Sequence, residues 1–367
     1  MNDFKAEPQG IRLAMLEATR RVLDSGWYVL GEEVQNFERQ WAAICGVAHG
    51  VGVGNGMDAI EIALRAAGIG PGDEVITTGM TAFASVLAIL RAGATPVLAD
   101  IESQTGLLSR DSVRRCMTSK TRAVLLVHLY GQVRDMEAWQ AFCASCGIVL
   151  IEDCAQAHLA TWRGKVAGSF GLAGAYSFYP TKNLGAAGDA GMLVCQDAFL
   201  AEKASRLRNY GQSVRYYHPE LGMNSRLDEV HAAMLMARLP WLVDFTQRRR
   251  AIAKAYDTRI VHPEITLLSK PEEEAAHAYH LYVVKTHARD ELIGHLQQQG
   301  IHVHIHYPVP MHQQESCSGL RCDPVGLSAC EQHAAQCLSL PCHPQMTESD
   351  VERVISAVNT FRGDTAC

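Results

Sequence analysis

One rhythm limits what this chain can fold into more than any other feature. Short apolar runs recur along its first two-thirds, and stretches of helical period separate them. His49–Val53, Glu74–Thr78, Thr95–Ala99, Arg122–His128, Gly147–Ile151, Ala173–Phe178 and Gly191–Cys195 read as strands. Met57–Ala67, Thr81–Ala92, Ser109–Met117 and Asp135–Cys146 place their apolar residues three and four apart, as helices do. Gly68-Ile-Gly-Pro-Gly72 stops one helix and turns the chain toward the next strand. Alternation of this kind predicts an α/β fold, with a mostly parallel seven-stranded sheet between helices. In such a sheet, ligands bind beyond the carboxyl ends of the strands.

With 367 residues the chain exceeds the size at which single cores usually stop growing, so two units are expected. Residues 1–240 would form a large α/β domain with an N-terminal helical segment, and residues 241–367 a smaller α+β domain. After Trp241 the pattern changes: a charged helix over Leu239–Arg259, then Pro263, Pro271 and the acidic run Glu272–Glu274. A strand over Ala278–Lys285, a helix over Asp290–Gln299, the stretch HVHIHYPVPMH and a helix over Glu348–Phe361 capped by Thr347 complete it.

A formal net charge of -6 leaves no basic footprint for nucleic acid, and Arg248-Arg249-Arg250 reads as a solvated helix face. No apolar run approaches the roughly 20 residues of a membrane span. The polar opening MNDFKAEPQG lacks a signal peptide's apolar centre, so a cytoplasmic protein is expected. The 12 cysteines then read as reduced thiols, and Cys143-Ala-Ser-Cys146 as part of an amphipathic helix.

Three stretches carry chemistry. In VGVGNGMDAIEIAL a strand ends in Gly54-Asn55-Gly56 and a helix opens at Met57. Glycines let the backbone approach an anion, and the first helical N–H groups point at it. A dinucleotide fingerprint would place an acid after the second strand, but Asp73 and Glu74 precede it, so a single phosphate is favoured. A purely structural turn is the competing reading. In VLIEDCAQAHLA, Asp153 follows an apolar strand and Gln156 follows Asp153 by one helical turn. A helix cap or internal salt bridge competes with a ligand contact there. In AYSFYPTKNLGAAGDAG, Ser177 ends a strand and Lys182 sits in an open loop that Gly185, Gly188 and Gly191 keep unobstructed. The phosphate-binding pattern of NTPases fails, because Asn183 stands where its hydroxyl residue belongs. A phosphate cradle, a strand-end aspartate and a loop lysine are together what pyridoxal phosphate requires.

The chain resembles the DegT/StrS sugar aminotransferase family, fold-type I pyridoxal-phosphate enzymes, nearly end to end. SGWYVLGEEVQNFE, VGVGNGMDAIEIAL, ATPVLADI, VHLYGQ, IEDCAQAHLA, SFYPTKNLGAAGDAGMLV, GMNSRLDEVHAAML, HYPVPMH and LSLPCHP carry the resemblance in order. It implies that Lys182 is the Schiff-base lysine and Asp153 the partner of the pyridine nitrogen, with Gln156 beside the ring hydroxyl. The backbone of Met57 and Asp58 and the Ser177 hydroxyl would meet the phosphate. Asn224 would reach it from the neighbouring subunit of a homodimer with shared active sites. Tyr179, His306 and Tyr307 would meet the sugar.

The family often stacks an aromatic on the cofactor where this chain has Ala82, followed by Phe83, so either Ala82 packs there or Phe83 shifts in. His302, His304 and His306 would share one strand face, but with no carboxylate or cysteine partner nearby no metal is assigned. The implied reaction is amino transfer from L-glutamate to a nucleotide-linked keto-sugar, best matched by a dTDP-3-keto-6-deoxyhexose. A keto-cyclitol or 4-keto nucleotide sugar is the alternative acceptor. Keto-sugar dehydration is disfavoured, because family members with that activity carry histidine at the lysine position. A non-catalytic sugar-nucleotide-binding regulator is the rival from another class.

Overall fold

The computed structural model describes residues 3–362. Its strands, in chain order, are β1 (His49–Val53), β2 (Glu74–Thr78), β3 (Thr95–Ala99), β4 (Thr121–Val127), β5 (Val149–Asp153), β6 (Thr161–Trp162), β7 (Lys165–Val166), β8 (Ala173–Ser177), β9 (Gly191–Cys195), β10 (Thr266–Leu267), β11 (Tyr282–Lys285), β12 (Arg321–Cys322) and β13 (Cys337–Leu340). Among the described residues the main sheet has eight strands rather than the seven expected, in the order β1-β9-β8-β5-β4-β2-β3-β12. The eighth, β12, is only two residues long, too short to show a period in sequence, and pairs parallel with β3. Pairings from β8 through β12 are parallel, and β9 runs antiparallel to both its neighbours.

Helices α1 (Gln9–Ser25), α2 (Glu32–Cys45), α3 (Gly56–Ala66), α4 (Phe83–Arg91), α5 (Arg110–Cys116), α6 (Met136–Cys146), α7 (Ala198–Leu207) and α8 (Glu229–Arg238) surround this sheet. Strand β4 shows why both faces are covered. Val124 and Leu126 pack with Trp41 of α2 and Trp139 of α6, whereas Ala123 and Leu125 pack with Leu64 of α3 and Ile89 of α4. Alternate residues of a strand face opposite ways, so an apolar run buries both. The chain adds β3 on one side of β2 and then β4 on the other, which opens a crevice at the carboxyl ends of β2 and β4.

Beyond α8 follow α9 (Leu242–Arg259), α10 (Arg289–Gln298), α11 (Ser328–Gln336) and α12 (Glu348–Asn359). Strands β10, β11 and β13 form an antiparallel sheet whose core joins Tyr256, Val284, Leu296, Leu338 and Val358. Thr347 caps α12 in a reciprocal box with Asp350.

Several local expectations are corrected. The helix expected over Leu239–Arg259 begins as a 3₁₀ turn, Leu239–Trp241, with Pro240 at its start. The strand expected from Ala278 starts only at Tyr282. Of the arginines read as a solvated face only Arg248 is exposed, and each guanidinium donates to backbone carbonyls: Arg248 to Pro344 and Met346, Arg249 to Tyr279 and His280, Arg250 to His277 and Ala275. A periodicity argument treats arginine as solvated and cannot see such carbonyls arriving from distant segments. The HVHIHYPVPMH stretch is not a strand; only His304 bridges, to Ser339. The cysteines among the described residues are all free thiols, and Cys143 and Cys146 lie on α6.

Candidate active site

Strand β5 was expected to end at Ile151, yet it runs from Val149 through Asp153. Gly147, left-handed at φ 64°, caps α6 and delays the strand by two residues. Asp153 is therefore its last residue, opposite Val127 of β4. Its buried carboxylate accepts Ser85 Oγ at 2.8 Å and the Ala155 N–H at 3.1 Å. Ser85 lies on α4 and is itself 2.9 Å from Thr81 Oγ. Neither Ser85 nor Thr81 was singled out from sequence; their one signal was a position just beyond the carboxyl end of β2.

Gln156, one turn beyond, accepts the Tyr130 N–H through Oε1 at 2.6 Å and donates from Nε2 to the Tyr307 hydroxyl at 3.2 Å. Burial pushes the Tyr307 phenol up to about 12, with the Gln156 contact opposing.

Gly56 opens α3 one residue ahead of Met57, because Asn55 is the cap. Asn55 Oδ1 accepts the Asp58 N–H at 2.8 Å, and its Nδ2 donates to Asp58 Oδ2 at 3.1 Å. The Asp58 N–H is thus engaged within the turn. Its carboxylate pairs with Arg91 at 3.3 Å, and Asp58 does not line the pocket.

Lys182 does not sit in an open loop. Its N–H closes a turn onto the Tyr179 carbonyl at 2.8 Å, and Asn183 Nδ2 donates to the Ala278 carbonyl at 2.9 Å. Nor do the glycines clear space for a ligand. A Cβ at Gly185 would lie 2.4 Å from the Pro180 carbonyl oxygen, and one at Gly191 would lie 2.3 Å from Asn55 backbone atoms. They allow the chain to pack against itself, which brings the Lys182 turn beside the opening of α3. Burial pushes the Lys182 amine down from 10.5 to about 8, and Asp153 acts in the opposite direction.

These pieces meet in one pocket holding about 510 Å³ of empty space, lined by Met57, Ala82, Asp153, Gln156, Ser177 and Lys182 together with Gly56, Thr81, Ser85 and His128. Ala82 lines it, whereas Phe83 is partly exposed and does not. Ser177 Oγ accepts the Tyr179 N–H at 3.3 Å and keeps its own proton to donate.

A second, smaller pocket has Thr181, the neighbour of Lys182, with His280, His302, His304, His306 and Ser339 in its wall. His306 Nδ1 is 2.8 Å from Ser339 Oγ, and burial pushes this imidazole down to about 4. Four of the predicted residues stay outside both walls: Asp58, Tyr307, which reaches Gln156 through its hydroxyl, Tyr179, with 49% exposure, and Asn224, exposed beside Asn209.

With this geometry in view, the similarities of the chain become interpretable. The model of the DegT/DnrJ/EryC1/StrS aminotransferase family matches residues 10–359. A dTDP-3-amino-3,6-dideoxy-alpha-D-galactopyranose transaminase of Aneurinibacillus thermoaerophilus is 45% identical over 345 residues, covering 94% of each chain. A pleiotropic regulatory protein of Geobacillus stearothermophilus is 41% identical over 364 residues, covering 98% of each. The crystal structure of S. venezuelae DesV in complex with a ketimine intermediate superposes with a TM-score of 0.94 at 43% identity, over 97% of this chain and 96% of that one. A family match across nearly the whole length, on a fold that gathers a lysine, an aspartate and a glutamine at one pocket, leaves one conclusion: the chain belongs to the DegT/DnrJ/EryC1/StrS aminotransferase family.

Proposed function

We propose that this aminotransferase uses pyridoxal 5'-phosphate to transfer nitrogen from L-glutamate to a nucleotide-linked keto-sugar, with a dTDP-3-keto-6-deoxyhexose as the acceptor. The observation that carries the reading is the convergence of Lys182, Asp153, Gln156 and Ser177 on one pocket, with the lysine amine lowered by burial. The 45% identical transaminase acts on a dTDP-3-amino sugar, which favours a keto group at carbon 3.

The donor set fits the cofactor. Lys182 is the amine for its aldehyde, Asp153 the acceptor for its ring nitrogen, and Gln156 the neighbour of its ring hydroxyl. The Ser177 hydroxyl and the N–H groups at the opening of α3, with Met57 among them, form the phosphate cradle; Asp58 contributes by closing the cap. When bound, pyridoxal phosphate supplies an electron sink for the carbon that loses or gains a proton. Lys182 Nζ, poised near neutrality, moves that proton. Asp153 holds a proton at the ring nitrogen, and Ser85 and the Ala155 N–H fix its carboxylate. His306, Tyr307 and Tyr179 are proposed sugar contacts.

We infer a homodimer in which Asn224 enters the partner's site. Two exposed apolar segments support it. Trp27 and Tyr28 are 63% and 51% exposed, and Tyr216, Tyr217 and Leu221 are 80%, 64% and 87% exposed. The Val29–Asp228 bridge ties the first segment to the stretch that follows Asn224. Exposed aromatic and apolar side chains on these segments are what a subunit contact would cover.

The test is nitrogen transfer from ¹⁵N-labelled glutamate to the dTDP-3-keto sugar, compared with 4-keto nucleotide sugars and a keto-cyclitol. Label in the 3-amino product supports the reading, and label only in another ketone's product redirects it. The Geobacillus stearothermophilus relative favours a second reading, a regulator that binds sugar nucleotides; binding without any transfer would support that one.

A further inference from the structure

We propose that Glu152 and His128 form a positioning pair that holds the carboxyl end of β5, and with it Asp153, in the geometry that the cofactor requires. The inference rests on the reading of Asp153 as the partner of the cofactor's ring nitrogen.

Adjacent residues of a strand face opposite ways, so Glu152 points away from the pocket that Asp153 enters. Its side chain is fully buried. Oε1 accepts the N–H groups of Phe170 and Gly171, each at 2.8 Å. Oε2 accepts the Gly168 N–H at 2.8 Å and faces His128 Nε2 at 2.9 Å. With three backbone N–H donors on it the carboxylate acts as an acceptor, which places the His128 ring proton on Nε2 as its fourth donor. The His128 N–H donates in turn to the Asp153 carbonyl at 3.1 Å. One residue at the end of β4 thus grips both of the last two residues of β5, and His128 also lines the Lys182 pocket. The loop at 168–171 anchors the far side of the same carboxylate.

His128, Glu152 and Cys154 offer ligand atoms within 4.8 Å of one another, the spacing of a metal site. The chemistry points elsewhere. Each carboxylate oxygen already serves two donors, and burial holds the Cys154 thiol well above its usual range. The pair is a brace.

Glu152→Gln keeps the shape but turns an NH₂ group toward N–H donors, which breaks the arrangement. His128→Gln can still donate to Glu152, and His128→Leu cannot. Each protein would be saturated with pyridoxal phosphate, and kcat, KM for the keto-sugar, visible circular dichroism of the bound cofactor and the melting temperature would be measured. Glu152→Gln and His128→Leu should lower kcat about tenfold and change the circular dichroism, with KM within twofold of the unmutated value. His128→Gln should recover most of both losses. If Glu152→Gln fails to fold, His128→Leu, which leaves three of the four donors in place, carries the test alone.

Variants that keep the unmutated kcat and circular dichroism when saturated, whatever their melting temperature, would overturn the proposal and leave a purely structural role. An unmutated protein that binds no pyridoxal phosphate would instead overturn the cofactor reading itself.

Discussion

Gln156 Nε2 donates to the Tyr307 hydroxyl at 3.2 Å across 151 positions of sequence, while Gln156 Oε1 holds the Tyr130 N–H at 2.6 Å. A residue just past β5 is thereby clamped between the large sheet and the segment that follows α10. Tyr307→Phe removes one neutral hydrogen bond and little else, a loss of about 1 kcal/mol. The dissociation constant for pyridoxal phosphate, measured by fluorescence titration, should rise about fivefold. An unchanged constant would detach Tyr307 from the cofactor site.

Lys182 should set a pH dependence. Its amine titrates near 8 in the folded protein against 10.5 ordinarily, so the neutral form gains about tenfold per pH unit until roughly pH 8 and then levels off. Stopped-flow capture of pyridoxal phosphate by the cofactor-free protein should follow that curve, rising from pH 6 to 8 and flattening above. A rate that keeps rising to pH 10 would show an ordinary, solvated lysine. The linkage runs the same way. Between about pH 8 and 10.5 the unfolded chain binds the extra proton, so the cofactor-free protein gains stability from this group as pH rises through that window.

Glu229 joins α8 to the start of α2 and is the acceptor most worth removing. Its carboxylate takes the N–H groups of Gly31, Glu33 and Val34 at 2.7, 2.9 and 3.1 Å. These are unpaired donors of a helix N-terminus, where negative charge is favoured. Glu229→Ala leaves them buried or half-buried without a partner and should cost about 2–4 kcal/mol in chemical denaturation. A loss below about 0.5 kcal/mol would show that water replaces the carboxylate.

Two glycines should respond oppositely to alanine. At Gly191 a Cβ would lie 2.3 Å from Asn55 backbone atoms, which must move and carry the α3 cap with them. At Gly26, left-handed at φ +66°, a Cβ meets nothing within 4 Å, so only backbone strain of about 1–2 kcal/mol applies. Gly191→Ala should lose cofactor binding, whereas Gly26→Ala should keep it with a slightly lower melting temperature. Cofactor titration and thermal unfolding of both proteins check this.

Much of this was legible in the sequence, for definite reasons. Strands β2 to β4 carry apolar residues on both faces, so their positions followed from hydrophobicity alone. Asp153 stood at a strand end, and Gln156 and Lys182 in the segments that follow strands, where such sheets leave room for ligands. What escaped notice depends on distant partners. Strand β12 has two residues and no pattern of its own. The arginines of α9 look solvated until the carbonyls of Tyr279, His277 and Pro344 arrive from elsewhere in the chain. Gly185 and Gly191 carry no mark showing whether they face a ligand or backbone. Ser85, which fixes the Asp153 carboxylate, lies 68 positions away from it.

The most direct measurement of the central claim is chemical. The purified protein, loaded with pyridoxal phosphate and reduced with borohydride, should carry one cofactor-sized mass increment per chain. Peptide mapping should place it on Lys182, and Lys182→Ala should carry none. An increment on another lysine, or an unmodified Lys182 in protein that has bound the cofactor, would contradict the account.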